Sequence, residues 1–174
     1  LTDHGDIYIC GKATKGAIGI PYAIDENITK HQILYGMHHL QQELKESTSL
    51  KDNEIPYNII DIACGFHHSI LLDQQGHIWT FGSSKYKQCG HNDHYTQLVP
   101  KKITSLINEK FIKIASGPYH TLALNNKGQV YSWGLNDYSQ CGQSKSLGKN
   151  GLKILNTHNS YCYNPGIIDI IKNK

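Results

Sequence analysis

The chain contains no arginine, and all 17 of its basic side chains are lysines. Arginine is the side chain that makes bidentate contacts to phosphates and bases, so its absence argues against specific readout of nucleic acid. The net charge of +3 is mild and leaves only non-specific attraction between lysine and phosphate. Composition therefore gives chromatin weak support as a partner.

Long apolar runs and paired cysteines are also missing. No apolar stretch approaches the roughly 20 residues that a membrane helix needs, and no secretory signal opens the chain. The five cysteines are scattered, and none forms a Cys-x-x-Cys pair. An odd, dispersed set of thiols indicates a reducing compartment. We therefore expect an intracellular protein, in the nucleus or the cytoplasm, without a membrane span.

The residue sets that carry catalysis are absent from the sequence as well. No carboxylate pair and no nucleophile–base set stands out. Cys89, His91 and His94 form the tightest cluster of metal-ligating types, but a structural zinc site needs four ligands. The equivalent turn in the next repeat, 141–143, contains no histidine. We expect no catalytic residue, no metal and no cofactor, and we do not expect an enzyme.

What the chain does have is an internal repeat. Residues 62–91 and 114–143 align at an offset of 52 without a gap, and 11 of the 30 positions are identical. A period near 50 residues is typical of solenoids, arrays and propellers. The recurring positions, which we expect to be structural, are Gly65, His68, Gly76, Gly82, Gly90, Gly117, His120, Gly128, Gly134 and Gly142.

Each repeat unit has the pattern of four short strands. In the best copy we expect them near Lys101–Leu106, Phe111–Ser116, His120–Leu124 and Gln129–Trp133, with turn-forming residues between them. Four short strands in a unit of this length are the composition of a β-propeller blade. The predicted fold class is all-β, with blades of four antiparallel strands in an open partial propeller or in part of a larger ring.

Partial copies extend the repeat in both directions. Residues 1–11 match 72–82, and the marker Pro-x-x-Ile begins at positions 21, 100 and 165. We expect a strand of a preceding blade at 5–11, blades at 20–82 and 99–134, and the first strand of a further blade at 165–171. This layout predicts a single propeller fragment, 1–174, whose ends need the remaining blades of a longer chain or self-association.

The spaced features of the repeat resemble a known family. They are Ile-Ala-x-Gly-x-x-His-(Ser/Thr)-x-x-Leu from residues 62 and 114, then Gly-x-(Ile/Val)-(Trp/Tyr)-x-(Phe/Trp)-Gly, then Gln-Cys-Gly. Together they closely resemble the regulator of chromosome condensation repeat, over roughly 1–24, 56–106, 110–143 and 163–171. The resemblance implies a seven-bladed β-propeller.

The resemblance also implies several functions, because one propeller scaffold hosts many tasks. The first hypothesis is a scaffold whose loops bind a protein partner. The second is a guanine-nucleotide exchange factor for a Ran-like small GTPase with chromatin association, which would be a non-covalent activity of the full propeller. The third is a substrate or targeting module of a ubiquitin ligase. Light sensing is not expected, because the plant ultraviolet receptor of this family has Gly-Trp-Arg-His-Thr where this chain has residues 65–69 and 117–121.

Two insertions interrupt the repeat, at 27–54 and 143–164. The first carries an apolar stripe at helical spacing, which predicts an α-helix near 29–46. The stripe either packs against the propeller or docks a partner, and both alternatives stay open. The second insertion is expected to be disordered or functional, since long loops in compact domains usually are. The candidate partner-binding residues are Ile33, Met37, Leu40, Leu44, Tyr161 and Tyr163.

Overall fold

Antiparallel β-sheets make up most of the fold. The computed structural model describes residues 1–12, 14–20, 33–51, 54–143 and 161–168. Two of the sheets have four strands and one has two. The strands are β1 Tyr8–Lys12, β2 Ile33–His39, β3 Ile59–Cys64, β4 His68–Asp73, β5 Ile78–Gly82, β6 Gln97–Lys102, β7 Phe111–Ser116, β8 His120–Asn125, β9 Val130–Leu135 and β10 Tyr161–Ile167. The described part also contains the helix α1, Leu40–Ser47, and short 3-10 turns at Thr14–Gly16 and Thr104–Leu106.

The two four-stranded sheets repeat one another. Their strand orders are β3-β4-β5-β6 and β7-β8-β9-β10, and every neighbouring pair is antiparallel. The pairing register shifts by the same 52 residues, since Leu71 faces Trp79 as Ala123 faces Tyr131. This agreement confirms the predicted fold class of four-stranded antiparallel units.

The two-stranded sheet is the outer half of the same pattern. Its strand β1 aligns in sequence with β5, and it pairs with β2 through Tyr8 and His39. The glycine near the end of the third strand has nearly the same left-handed φ in every copy: 105° at Gly11, 105° at Gly82 and 107° at Gly134. The predicted strand at 5–11 therefore lies at 8–12 and occupies the third-strand position of a blade.

The sheets divide the chain at a different point from the one that the sequence predicts. The Pro-x-x-Ile segments at 100–103 and 165–168 belong to the outer strand of the preceding sheet and its end. Ile103 N–H donates to Ile78 O at 2.9 Å, and the equivalent Ile168 N–H donates to Val130 O at 2.8 Å. The four-stranded sheets thus span 59–102 and 111–167, in place of the predicted limits 20–82, 99–134 and 165–171. A repeat period fixes the length of the unit but not the position where one sheet ends and the next begins.

The inserted helix is shorter than predicted. Residues 33–39, which fall inside the predicted helix, form β2 because the backbone of β1 offers an edge for pairing: Gly11 faces Leu34 and Lys12 faces Ile33. The helix begins only after His39, whose Nδ1 accepts a hydrogen bond from Gln42 N–H at 3.2 Å and caps the first turn. Residues 29–32 lie outside the described part.

Two apolar cores hold the sheets together. The first joins the two-stranded sheet and α1 to the first four-stranded sheet, through residues that include Ile7, Leu40, Leu44 and Phe81. The second lies between the two four-stranded sheets, and Trp133 is fully buried in it. Each sheet therefore packs its face against the next one, so the loops at the strand ends are held in fixed positions.

A candidate interaction face

A hydrogen bond from a side-chain hydroxyl to a backbone carbonyl links each four-stranded sheet to the unit before it, and we call this bond the hydroxyl joint. Thr121 Oγ1 donates to Gln88 O at 3.1 Å, and Ser69 Oγ donates to Ala17 O at the same distance. The donors are equivalent by the repeat offset, and each acceptor stands two residues before the glycine that ends its turn. The same bond thus recurs at both interfaces between neighbouring units.

His68 reinforces the second of these joints. Its Nε2 lies 3.2 Å from Thr121 Oγ1 and 3.3 Å from Ser116 Oγ. Thr121 gives its proton to a carbonyl, and Ser116 donates to Gly117 O, so both hydroxyls accept from His68 Nε2–H. Burial lowers the pKa of His68 to about 4, so the ring is neutral at pH 7. This geometry fits the structural role that the recurrence of the histidine suggests.

Gly65 makes room for that imidazole ring. A Cβ at position 65 would lie 2.1 Å from His68 Cε1, and a Cβ at Gly117 would lie 2.1 Å from His120 Cε1. No side chain larger than hydrogen fits over either ring. The glycine and the histidine of the repeat are therefore recurring parts of one arrangement.

Cys89 and His91, from the tightest metal-ligating cluster, have structural roles inside the fold. Cys89 is fully buried, and burial raises the pKa of its thiol to about 12, which makes the thiol unreactive. His91 Nε2 lies 2.9 Å from Thr80 Oγ1, and burial lowers the pKa of His91 to about 4. Among the described residues, no three His, Cys, Asp or Glu side chains converge as a metal site would require.

A partly exposed row of aromatic rings crosses the ends of both four-stranded sheets. We call it the aromatic ridge, and it consists of Phe66, Tyr119, Tyr86 and Tyr161. Adjacent ring centroids are 5.4 Å, 5.0 Å and 5.8 Å apart in that order, and the first two contacts are edge-to-face. Such contacts are favourable for aromatic pairs and hold the rings against one another. The ridge is thus a single surface built from separate repeat units.

The loops that carry the ridge are tied together. Phe66 lies between β3 and β4, Tyr119 lies in the equivalent loop between β7 and β8 but one repeat position later, and Tyr86 follows β5. The Phe66 N–H donates to Pro118 O at 3.1 Å, which joins the two loops directly. Phe66 nevertheless keeps 66% of its surface exposed. The ridge is therefore an apolar surface held in place by its loops, and the described residues leave the Phe66 side chain largely exposed.

Lysines flank the ridge. Lys85 is exposed, and its Nζ lies 5.3 Å from the Tyr86 ring centroid, which is a cation–π contact. His67, beside Tyr119 in the ridge, has its pKa lowered first by burial and then by the positive charge of Lys15. Two lysines therefore place positive charge beside this part of the ridge.

Sequence profiles identify the repeat. Two profiles, both described as the regulator of chromosome condensation (RCC1) repeat, match the chain: one at residues 75–124 and 127–159, the other at 59–88 and 111–140. The chain belongs to the regulator of chromosome condensation repeat family. Together the two profiles span residues 59–159, which contain both four-stranded units up to the start of β10.

Relatives in the RCC1 family are much longer proteins. The ultraviolet-B receptor UVR8 of Arabidopsis thaliana is 31% identical over 147 residues, covering 84% of this chain and 29% of the receptor. The human E3 ubiquitin-protein ligase HERC2 is 29% identical over 188 residues, covering 86% of this chain and 4% of the ligase. The chain thus spans less than a third of the length of these relatives.

Solved RCC1-like structures share the fold. Prp20p of Saccharomyces cerevisiae superposes with a TM-score of 0.68 at 21% identity, covering 99% of this chain and 36% of Prp20p. Human WBSCR16 superposes with the same TM-score at 21% identity, covering 96% of this chain and 35% of that protein. At this identity the likeness shows the propeller architecture and no more.

The structure separates the predicted partner-binding residues of this RCC1 segment. Leu40 and Leu44 are fully buried in the first core, so they pack against the propeller and are not available to a partner. Met37 is 66% exposed on β2, and Tyr161 belongs to the aromatic ridge. The side chains of Ile33 and Tyr163 lie outside the described part.

Reasoning from the sequence misses most of the ridge. In the sequence, the loops of Phe66 and Tyr119 serve only to argue against light sensing, and Tyr86 is not among the candidate partner-binding residues. One signal is available, because Tyr86 and the 91% exposed Tyr138 are an identical pair at the repeat offset.

Of the helices in the described residues, none has the length and apolar character needed to cross a bilayer.

Proposed function

We propose that this chain is a non-catalytic binding module of the RCC1 family that holds a protein partner on the aromatic ridge. The observation that carries the proposal is the exposure of Phe66, which is 66% accessible while its ring already contacts Tyr119. Aromatic side chains are enriched at protein interfaces and supply much of their binding energy. A large exposed ring in a fixed position is therefore suited to act as an anchor.

The ridge is also preorganised. Its rings contact one another, and the loops beneath Phe66 and Tyr119 share a backbone hydrogen bond. Binding then costs little conformational entropy, because the side chains are already held in place. Lys85 and Lys15 at its margin favour a partner that surrounds an apolar contact with acidic groups. The dispersed free cysteines support placing this module inside the cell, in the nucleus or the cytoplasm.

A site-specific crosslink tests the proposal. A photoreactive phenylalanine analogue replaces Phe66 in one sample and Tyr95 in the other, and both are irradiated in extract from the source cells. Tyr95 is the matched control, because it is 78% exposed and is not part of the ridge. We expect a discrete crosslinked partner from position 66 that is absent from position 95 and is lost when Tyr119 is also changed to alanine. Equal crosslinking patterns from the two positions would contradict the proposal.

Guanine-nucleotide exchange is the second candidate. It is supported by the superposition on Prp20p, whose structure is described together with its binding properties to Gsp1p and histones. A Ran GTPase loaded with a fluorescent nucleotide distinguishes the candidates. Release that accelerates and saturates with added chain would favour exchange, whereas unchanged release leaves the binding module as the better account.

A targeting module of a ubiquitin ligase is the third candidate, and it is a special case of the first. It is supported by the match to HERC2, of which this chain covers only 4%. The chain would then recognise the target protein, and ligase chemistry would belong to other parts of a longer protein. The partner captured at position 66 separates this case, since it should become ubiquitinated in the presence of the full-length protein.

A further inference from the structure

Two thiols meet in the second four-stranded sheet. Cys162 on β10 is the ladder partner of Gly134 on β9. The Sγ of Cys141 lies 3.9 Å from Gly134 O and 3.4 Å from Leu135 O, so it occupies the same corner of the sheet. Both thiols are free, and the interaction between them shifts the pKa of each.

The first four-stranded sheet lacks this pair although it has the same cysteine. Cys89, which is equivalent to Cys141, lies 3.6 Å from Gly82 O and 3.4 Å from Ser83 O. The ladder partner of Gly82 is Gln97, so the residue in the place of Cys162 carries an amide. The recurring cysteine is therefore a buried structural residue in one sheet and half of a thiol pair in the other.

We propose that Cys141 and Cys162 form a disulfide under peroxide and that this bond is a modification site of the protein. The bond would tie the outer strand β10 to the turn that follows β9. It would close residues 142–161 into a covalent loop. The burial of both sulfurs keeps large disulfide partners away, which favours the bond within the chain over bonds between chains.

Cys162 is the thiol that reacts first. It is 8% exposed, whereas Cys141 is fully buried. The hydrogen bond from Cys141 lowers the pKa of Cys162 and raises that of Cys141, so the thiolate forms on Cys162. The thiolate, not the thiol, is the nucleophile towards peroxide.

The reaction balances in two steps. In the first, the Cys162 sulfur attacks one peroxide oxygen, the O–O bond breaks, and the thiol proton leaves with the other oxygen as water. The resulting sulfenic acid is then attacked by the Cys141 sulfur. The S–S bond forms, the S–O bond breaks, and the Cys141 proton leaves with the hydroxyl as a second water. Two thiols are oxidised by two electrons, and one peroxide is reduced to two waters.

Oxidation would also act on the aromatic ridge, a consequence that rests on the proposed function. Tyr161 directly precedes Cys162, and its ring lies 5.8 Å from that of Tyr86. A covalent tie at Cys162 holds the start of β10, and with it Tyr161, against the ridge. The oxidised chain should then bind a ridge partner more tightly than the reduced chain.

Peptide mapping tests the disulfide without reference to any partner. Cleavage after lysine places each of the five cysteines in a separate peptide: 1–12, 52–85, 88–101, 128–145 and 154–172. The double variant Cys10→Ser/Cys64→Ser removes the two exposed thiols, which could otherwise crosslink different molecules. This protein is exposed to graded hydrogen peroxide, blocked with a maleimide and digested without reductant.

We expect peptides 128–145 and 154–172 to appear as one linked species, while 88–101 stays labelled by maleimide. The link should vanish after reduction and in the Cys162→Ser variant. The thermal midpoint of the oxidised protein should rise by roughly 5 °C, a shift that Cys162→Ser abolishes. Links that involve 88–101 as often as 154–172, or over-oxidation of Cys162 with no link, would overturn the proposal. Failure of the crosslink at Phe66 would leave this result untouched.

Discussion

The imidazole Nε2 of His68 lies 3.2 Å from Thr121 Oγ1, so one hydrogen bond joins the second strands of two successive sheets. Thr121 in turn donates a hydrogen bond from its hydroxyl to Gln88 O, which lies in the turn after β5. Three separate segments of the chain thus meet at one buried point. Breaking a hydrogen bond in such a low-dielectric environment is costly, because the remaining polar group stays buried and cannot bond to water instead.

Removing this imidazole should loosen the joint. His68→Ala is expected to lower the free energy of unfolding by about 1–3 kcal/mol, because Thr121 and Ser116 lose a buried donor. His120→Ala is the matched control: His120 holds the same repeat position but is half-buried, and its ring has no hydrogen-bond partner within the described residues. It should cost less. Urea unfolding measures both, and equal losses would contradict the role of the joint.

Acid should weaken the same joint. The pKa of His68 is about 4 in the folded chain and about 6.5 when unfolded, so below pH 6.5 the unfolded chain binds a proton that the folded chain does not. The contribution is complete above pH 6.5 and is lost as the pH falls from 6.5 through 4. The free energy of unfolding should therefore fall by about 2 kcal/mol between pH 7 and pH 5 because of this histidine. Urea titrations at both pH values should show a smaller acid loss in His68→Gln than in the natural chain.

His91 makes this comparison necessary. Burial also lowers its pKa to about 4, so it adds an acid sensitivity of its own. That sensitivity is present in the natural chain and in His68→Gln alike, and it cancels in the difference. An identical pH dependence in the two proteins would show that His68 is already protonated at pH 5 inside the fold.

Gly90 should tolerate no side chain, because the Trp133 ring of the next sheet lies on it. A Cβ there would be 2.9 Å from Trp133 Nε1 and 3.0 Å from Ile103 Cδ1. Gly128 is the matched control: its φ of 78° equals that of Gly90 within 2°, but a Cβ added to it would meet no atom within 4 Å among the described residues. Both alanine variants lose about 1–2 kcal/mol to the left-handed backbone. Gly90→Ala should lose about 1–3 kcal/mol more.

Chemical denaturation with tryptophan fluorescence follows the Gly90 variants directly. A red-shifted native emission is expected for Gly90→Ala, because displacement of Trp133 admits water, and no such shift is expected for Gly128→Ala. If the two variants were equally stable, the packing of the ring on the glycine would contribute nothing.

The shortened helix makes a further prediction about the insertion. Leu44 is fully buried against the first core, so Leu44→Ala should lower stability by about 2–5 kcal/mol. Met37 belongs to the same predicted stripe but is 66% exposed on β2, so Met37→Ala should change stability by less than about 0.5 kcal/mol. Thermal unfolding of the two variants checks the difference. Comparable losses would mean that residue 37 is buried, as a helix over 29–46 would require.

The insertion shows where reasoning from the sequence reaches its limit. The spacing of Leu40 and Leu44 predicts a buried helical stripe, and both are buried. Ile33 and Met37 continue the same spacing, but Ile33–His39 pairs with β1, a strand more than 20 residues earlier in the chain. Local periodicity cannot reveal a distant strand edge that competes for the same backbone.

The candidate site is harder to predict than the fold. Recurrence singles out His68 and Gly90 in the sequence, and the structure places both where the two four-stranded sheets meet. Recurrence does not reveal that His120, at the same repeat position as His68, is half-buried and has no hydrogen-bond partner for its ring among the described residues. The aromatic ridge does not follow the repeat, since its rings come from two loops, a turn and β10, at positions that are not equivalent. Only the three-dimensional arrangement brings Phe66, Tyr119 and Tyr161 together.

Three of the long connections in this chain interrupt the same step of the unit. The third strand and its outer partner are separated by residues 13–32, 83–96 and 136–160, whereas β4 and β5 are joined by the four residues 74–77. The outer strand finds its place by pairing along its length, so the separation can grow with only a slow rise in closure entropy. New sequence can therefore enter a unit at this step without altering its ladder, whether natural selection or a protein engineer supplies it. One residue added between β4 and β5 would instead change the length of the turn that sets the register of this hairpin.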